Sequence, residues 1–551
     1  MPHIPSEVDV LIVGMGPVGS ALAQLLSRYG TNTLVIDKAL DIFMAPRAIA
    51  LDNEALRVLQ MCGLEEDAFD KVAIPEVRMH SPMFGQYSRA VTAGSVDGHP
   101  KLVTFFQPDL EQVLRARLQD SPHVRIALGV TLLSLHQHPD EVMAELQTDD
   151  GQTRRVRARY LVGADGANSL VRRILGQEFK GKTFAEDWLV VDAKQLPTPI
   201  DHVEFICDPD RPTPHMVAPG GRQRWEFKLS QGETRAQMEH PDTVKRLLQP
   251  WTQGQDIEIE RVAVYRFHAR VAEKFKVGRA LLVGDAAHIT PPFVGQGLVS
   301  GLRDVANLAW KLAWVCQGRA HPALLDTYDQ ERRPHAKAMI NLAKLMGQLV
   351  MPSNHVAAIL THGFMSVMTR IPRLKRLFEN LEIKPPNEFK VGCFIKPLRG
   401  ARLRRGGQMP QVWLKPQSGG EVVLSDDVFG TGLVMVGFGV DPSADLHSEL
   451  TLAWTASGGR FIQIDPRGQM ARTSALSRWI DISGSLIPSV APVGWLTIVR
   501  PDKVVMHDGP STDASLLLKQ AMQLYADLSW KETAAVASTH GKFIPHQGER
   551  P

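Results

Sequence analysis

The chain has little of what a disulfide scaffold, a metal protein or a membrane protein needs. Only four cysteines, Cys62, Cys207, Cys316 and Cys393, occur in 551 residues, with no CxxC and no metal-ligand spacing. This excludes a disulfide framework and a cysteine metal cluster, so no metal is expected, and it fits a reducing compartment. Cys316 falls on the apolar face of a predicted helix and reads as a small buried thiol. No run of eighteen apolar residues is present, so nothing reads as a transmembrane helix. An excess of either charge is also missing: 62 Lys and Arg face 59 Asp and Glu, a formal net charge of +3. Neither a nucleic acid nor an anionic membrane is indicated as a partner. The start, Met1 to Glu7, lacks the basic-then-apolar order of a secretory signal, and a cytoplasmic location is expected. Repeats and low-complexity tracts are missing too, and the length suits two or three domains.

Three glycine-centred segments carry the information. The first is Gly14-Met15-Gly16-Pro17-Val18-Gly19, between the apolar run Val8–Val13 and the helical stretch Ala21–Leu26. In a strand–turn–helix of this kind Gly14 permits the tight turn, Gly16 lets the backbone approach a pyrophosphate, and Gly19 allows close helix–strand packing. Free N–H groups at the helix start then hold phosphate charge. A second strand, Thr33–Ile36, ends in Asp37, eighteen residues beyond Gly19. An acid there receives ribose hydroxyls and disfavours a 2′-phosphate, so the site suits FAD or NAD rather than NADP.

The second segment, Gly163-Ala164-Asp165-Gly166, follows the strand Tyr160–Val162 and precedes Val171-Arg172-Arg173. The third, Gly284-Asp285-Ala286-Ala287-His288, ends the strand Arg279–Val283. It leads through Pro291-Pro292-Phe293-Val294-Gly295-Gln296-Gly297 into a helix with apolar residues at Leu302, Val305, Ala309 and Leu312. A carboxylate at such a strand end can accept hydrogen bonds from a ribityl chain. Glycine N–H groups at the next helix start can stabilise negative charge on a flavin. Tyr265 and His268 lie on a strand that enters this third segment. Further on, 433–439, 461–464 and 496–502 read as strands and 514–528 as a helix, again without CxxC, so a redox role for that region is not expected.

Together these residues resemble the single-component (class A) FAD-dependent aromatic hydroxylases. Other phrases that match include Pro46-Arg47-Ala48, Asp52-Asn53-Glu54, Arg224-Trp225-Glu226-Phe227 and Asp326-Thr327-Tyr328-Asp329-Gln330-Glu331-Arg332-Arg333-Pro334. The resemblance covers roughly the first 350 residues well and the rest loosely. It implies an α/β fold in which a Rossmann-like FAD-binding domain (1–180 and 276–335) is interleaved with a β-sheet substrate domain (181–275). Residues 76–106 are a candidate addition to the substrate sheet. A helical region (336–395) and a thioredoxin-like C-terminal domain without CxxC (396–551) complete the expected organisation.

The resemblance also implies site roles. Gly14, Gly16, Gly19, Asp37 and Lys38 would hold the ADP half of FAD, and Arg47 and Gln107 would contact the flavin or its pyrophosphate and ribityl regions. Asp165 belongs to a motif tied to FAD and NADPH, with Arg172 as an anion partner, and Asp285 would bind the ribityl chain. Pro292 would lie beside the isoalloxazine and substrate, with Gly295, Gly297 and Leu298 supplying backbone contacts. NADPH or NADH would reduce the flavin, and O2 would then form a C4a-hydroperoxide whose distal oxygen goes to an electron-rich ring. The expected partner is thus a small phenolic acid such as 3-(3-hydroxyphenyl)propionate or 3-hydroxycinnamate, hydroxylated ortho to a catechol. Another phenol, a resorcinol-type ring or an aromatic natural product stays open as substrate, as does a flavin dehydrogenase or oxidase without oxygen insertion. A nearby proton acceptor should assist the phenol; Tyr265 and His268 are the candidates. Arg222, Arg224 and Arg266 are the candidates for a substrate carboxylate. A homodimer is the assembly considered.

Overall fold

A computed structural model describes residues 4–45, 47–352, 354–372, 379, 384–396, 401–468 and 477–526. Pro46, the end of the expected C-terminal helix and residues 527–551 lie outside them. The chain divides into two compact units, residues 1–313 with 332–386, and residues 314–331 with 387–551.

In the first unit the run Glu7–Val13 is a strand whose Val10, Leu11 and Ile12 are fully buried, as a parallel strand covered on both faces requires. It pairs in parallel with Thr33–Asp37 on one side and Thr153–Gly163 on the other; Val124–Leu128 extends the sheet beyond Thr33–Asp37. Ala280–Leu282 joins in parallel beside Leu161–Gly163. Each of the three glycine segments therefore leaves the carboxyl end of a neighbouring parallel strand, the position at which open α/β sheets bind ligands.

The second sheet of this unit runs in the order His288–Ile289, Glu258–Ala272, Phe179–Lys194, Arg222–Lys228, Thr213–Ala218, Val203–Ile206, Glu76–Ser81, Gly85–Val91. Its edge thus includes part of the 76–106 segment, whereas Leu102–Phe105 pairs with Ala50–Asp52 and Lys71–Ala73 in a small separate sheet. One face of the large sheet is covered by the helix Pro241–Thr252: Trp225 stacks on His215 at 4.7 Å and packs with Val244, Leu248 and Trp251. Alternation along the strand sends Arg224 and Glu226 to the opposite face, where Arg224 Nη1 donates to the Arg47 carbonyl at 3.4 Å. That face looks toward the FAD-motif segments.

The second unit has a seven-stranded mixed sheet in the order Val423–Leu424, Trp413–Pro416, Ser477–Asp481, Arg460–Asp465, Val434–Phe438, Trp495–Val499, Val505–Pro510. Val434–Phe438 and Arg460–Asp465 are parallel, and the last two strands form an antiparallel pair followed by the helix Ala514–Ala526. Leu414, Val436, Phe438, Ile462 and Ile464 lie in its core. Within it Arg500 is fully buried and donates to both Glu331 oxygens (2.8 and 2.9 Å) and to Asp502. Residues 314–331, read from sequence as part of the FAD-binding domain, group with this unit.

Candidate active site

The first glycine loop separates its three glycines by what surrounds them. A Cβ on Gly14, whose φ is +108°, would stand 2.4 Å from the Ala164 carbonyl, and one on Gly19 would stand 2.0 Å from the Gly14 carbonyl. A Cβ on Gly16 would meet no atom within 4 Å. So Gly14 and Gly19 are demanded by the fold itself, while Gly16 presents bare backbone to open space at the start of the helix Pro17–Arg28. Asp37 closes the loop: Oδ2 accepts from Met15 N–H at 2.7 Å and Oδ1 from Ala39 N–H at 2.8 Å. Lys38 is exposed. Arg115, which the sequence reading passed over, donates through Nη2 to the Met15 carbonyl at 2.9 Å and to Glu111 at 2.7 Å.

Arg172 joins the second and third segments. Its guanidinium donates to the Ala286 carbonyl at 2.9 Å and the Ala167 carbonyl at 2.8 Å, and lies 3.8 Å from the ring centroid of Phe179. Asp165 Oδ2 accepts from the N–H groups of Leu170 and Val171, leaving its buried Oδ1 without a hydrogen bond. Asp285 is half-buried, and its carboxylate takes no hydrogen bond among the described residues. Burial holds its pKa above the usual carboxylate value against the pull of Arg47, His288 and Arg172.

Behind Asp285 stands a fully buried triad. Asp304 accepts from His288 Nε2 at 2.7 Å, Gly284 N–H at 3.1 Å and Arg332 Nε at 3.0 Å. Burial raises its pKa, but His288 and Arg332 outweigh it and the net shift is downward. Next to it, Arg303 donates to Asp52 (2.7 Å), Glu54 (2.6 Å) and Gln296 (2.8 Å), and Lys384 donates to Asp52 and Glu54. This network fixes the start of the helix Gln296–Cys316 against the Asp52-Asn53-Glu54 turn. The sequence carried a signal for it: Arg303-Asp304 is a charged pair inside a largely apolar helix, and buried charges need partners. Just ahead, Gly295 takes φ +62°, and a Cβ on Gly297 would meet nothing within 4 Å; Pro292 and Leu298 are half-buried. Gln107 Oε1 accepts from the backbone N–H groups of Arg47 (3.1 Å) and Ala48 (3.0 Å), bringing two sequence-predicted positions together.

The Pro292 loop faces an aromatic wall. Phe293 packs edge-on to Trp188 and Phe267, with centroids 5.9 and 6.4 Å apart. Met79, Tyr87, Cys207, Val350 and Met365 complete the cluster. Tyr265 pairs with Trp188 and so shares its face of the sheet. His268, three residues on, points to the other face and hydrogen-bonds Thr183 at 3.1 Å. The structure thus does not bring these two candidates together. Of the three arginines, Arg266 is exposed and paired with Asp187, Arg222 pairs with Glu260, and Arg224 is buried in a two-point contact with Asp192.

Open backbone at Gly16 and Gly297, an unengaged carboxylate at Asp285 and a spare oxygen at Asp165 are what a bound FAD would use, and the residues present fit it. The comparisons agree. The FAD binding domain family matches residues 7–343 and the HcaD C-terminal domain matches residues 406–524. The 3-(3-hydroxy-phenyl)propionate/3-hydroxycinnamic acid hydroxylase of Escherichia coli (strain SMS-3-5 / SECEC) is 36% identical over 513 residues, 92% of each chain. The protein of the same name from Klebsiella pneumoniae is 35% identical over 98% of this chain and 97% of its own. Among solved structures, the flavin-dependent monooxygenase PieE, in complex with FAD and substrate, has a TM-score of 0.76 at 21% identity, covering 95% of this chain and 99% of its own. Aklavinone-11 hydroxylase, with FAD and aklavinone, has a TM-score of 0.74 at 23% identity, with the same coverage. The chain belongs to the FAD binding domain family and, within it, to the FAD-dependent monooxygenases.

Proposed function

We propose that this enzyme hydroxylates a phenolic acid of the 3-(3-hydroxyphenyl)propionate or 3-hydroxycinnamate type, ortho to its hydroxyl, using NADPH or NADH and O2. The observation that carries the reading is the aromatic wall of Trp188, Phe267 and Phe293 set against the Pro292 loop, in a chain about 36% identical to hydroxylases named for those two acids. Bound FAD would supply the electron transfer from NAD(P)H and the activation of oxygen. The protein's part is to hold and shield. The Gly14–Gly19 loop and Asp37 would hold the ADP half, Asp285 the ribityl hydroxyls, and the N–H groups at Gly297 and Leu298 the charge on the ring system. The apolar wall would keep water from the reacting oxygen. Supporting a thioredoxin-like C-terminal domain are the parallel pair Val434–Phe438 and Arg460–Asp465, joined through the helix Ser448–Ala456, and the antiparallel pair that follows. Four buried cysteines, none in a disulfide, support a cytoplasmic location. An exposed apolar stripe on the helix His355–Met368 (Val356, Leu360, Phe364) supports a homodimer.

The test is oxidation of NADPH and of NADH by the purified yellow protein, with and without each acid, while catechol and peroxide are quantified. Substrate-stimulated oxidation with the 2,3-dihydroxy acid as main product is the expected result. Stimulation giving mainly peroxide would mean that the acid is a mimic of another phenol, and 18O2 left out of a product would sink oxygen insertion altogether.

A further inference from the structure

Among the described residues, the buried acids of the first unit are Asp52, Glu111, Asp192, Glu226 and Asp304. Four are held by cations: Asp52 by Arg303 and Lys384, Glu111 by Arg115, Asp192 by Arg224 and Arg261, Asp304 by Arg332 and His288. Among the described residues, the Glu226 carboxylate takes no hydrogen bond and forms no ion pair, although the residue is only 8% exposed. A buried acid is normally satisfied by the protein or by ordered water, and the Glu226 oxygens are not among the sealed, unpartnered atoms, so this carboxylate is open to water or to a ligand.

The register of the sheet shows where it faces. Glu226 lies opposite Val190, which lies opposite Ala263. Because side chains alternate, this row shares the face of Arg224 rather than that of Trp225. On that face the Asp192, Arg224 and Arg261 charges lie to one side, and Trp188 and Tyr265 to the other. Two FAD-motif segments reach the same face. Arg47 offers its carbonyl to Arg224, and Phe293 of the Pro292 loop packs on Trp188. Glu226 is therefore an unengaged acid beside the aromatic wall, on the face that the FAD segments approach.

A structural counter-ion role does not account for it. Arg224 already has both Asp192 oxygens, at 2.6 and 3.0 Å, and Glu226 makes no bond to it.

We propose that Glu226 is the acid–base residue of the substrate chamber, binding the ring hydroxyl and accepting its proton. This rests on the reading that the substrate is a phenol. The phenol O–H bond breaks, its electron pair stays on the oxygen, and the proton forms a carboxyl O–H on Glu226. When the ring regains aromaticity after oxygen insertion, the ring proton leaves to solvent and Glu226 returns its proton to the phenol oxygen. Burial pushes the Glu226 pKa up, with Asp192 adding to it, against the pull of Arg224 and Arg261. That makes the carboxylate a stronger base than it is in water and narrows its gap to a phenol of pKa about 10. Other ionisable groups on this face are Lys228 and Arg222 on its own strand, Lys194 on the next strand and Tyr265 two strands away, with Arg222 and Lys194 both paired to Glu260, and Arg47 on the FAD-binding side.

The experiment uses FAD-loaded wild type, Glu226→Gln and Glu226→Asp, with FAD content as the control for folding. Binding of 3-(3-hydroxyphenyl)propionate is followed without reductant by flavin absorbance. Turnover is measured across pH for this acid and for a ring-fluorinated analogue with a more acidic hydroxyl. We expect wild-type turnover to rise with pH as the Glu226 carboxyl ionises, and Glu226→Gln to lose that limb. Turnover of the parent acid should fall roughly 100-fold in Glu226→Gln, at the lower end of what a positioned acid–base group contributes. The fluorinated acid should lose several-fold less, and Glu226→Asp should recover part of the rate and of the limb. Glu226→Gln within about threefold of wild type on both phenols, or an equal loss on both with the pH limb intact, would overturn the proposal alone. Wild type that binds neither phenol would overturn the phenolic-acid reading and the proposal with it.

Discussion

Arg172 donates to the backbone carbonyl of Ala286 at 2.9 Å, so that a side chain of the second glycine segment holds the peptide next to Asp285 in the third. Two segments more than a hundred residues apart thereby become one surface, with Asp165 and Asp285 both left with carboxylate oxygens to spare.

Replacing Arg172 by Ala removes charge-assisted hydrogen bonds to the Ala286 and Ala167 carbonyls and the stacking on Phe179. A loss of about 2 kcal/mol in stability is expected, together with roughly tenfold weaker FAD binding. Urea melts of the apoprotein and flavin fluorescence titration measure the two separately. Unchanged FAD affinity would mean that Asp285 is positioned without Arg172.

The glycines at 16 and 19 should respond in opposite ways to the same methyl group. Gly19→Ala places a Cβ 2.0 Å from the Gly14 carbonyl, and the apoprotein should lose about 2 kcal/mol or more, or fail to fold. Gly16→Ala meets nothing within 4 Å, so the apoprotein should melt like wild type while FAD binding weakens by about tenfold or more. Normal FAD affinity in Gly16→Ala would remove the pyrophosphate from this loop.

Asp304→Asn tests the triad behind the flavin loop through pH. Burial raises the Asp304 pKa, but His288 and Arg332 more than offset it, so the folded value lies below the ordinary 3.8. A depressed carboxylate stabilises the fold above its unfolded pKa, and that contribution fades as pH falls through the folded value. Wild type should therefore exceed the Asn variant by about 3 kcal/mol at pH 7, the cost of breaking a buried pair. The gap should shrink once the pH drops below about 4. Denaturant melts at pH 7 and pH 3 decide it, and a gap independent of pH would place the stabilisation in packing rather than charge.

What the sequence alone determined was local. The Gly14–Gly19 fingerprint, Asp37 at the end of the next strand and Asp285 at another are consequences of short-range geometry: a tight turn needs glycine, and a strand end exposes its last side chain. The match to FAD-dependent hydroxylases followed from those segments and from phrases such as Asp52-Asn53-Glu54. Sequence could not say which face of the long sheet meets the FAD segments. Tyr265 and His268 looked like joint candidates, yet their spacing of three residues on one strand sends them to opposite faces. Nor could it say which buried charges find partners. Asp52, Asp192 and Asp304 meet Arg or Lys side chains from 28 to 332 residues away, whereas Glu226, inside an equally ordinary strand, meets none among the described residues. Partner distance in the chain carries no local signal, because it is the packing of sheet on loop that sets which side chains arrive together. Only the tertiary structure could leave that one acid open beside the aromatic wall.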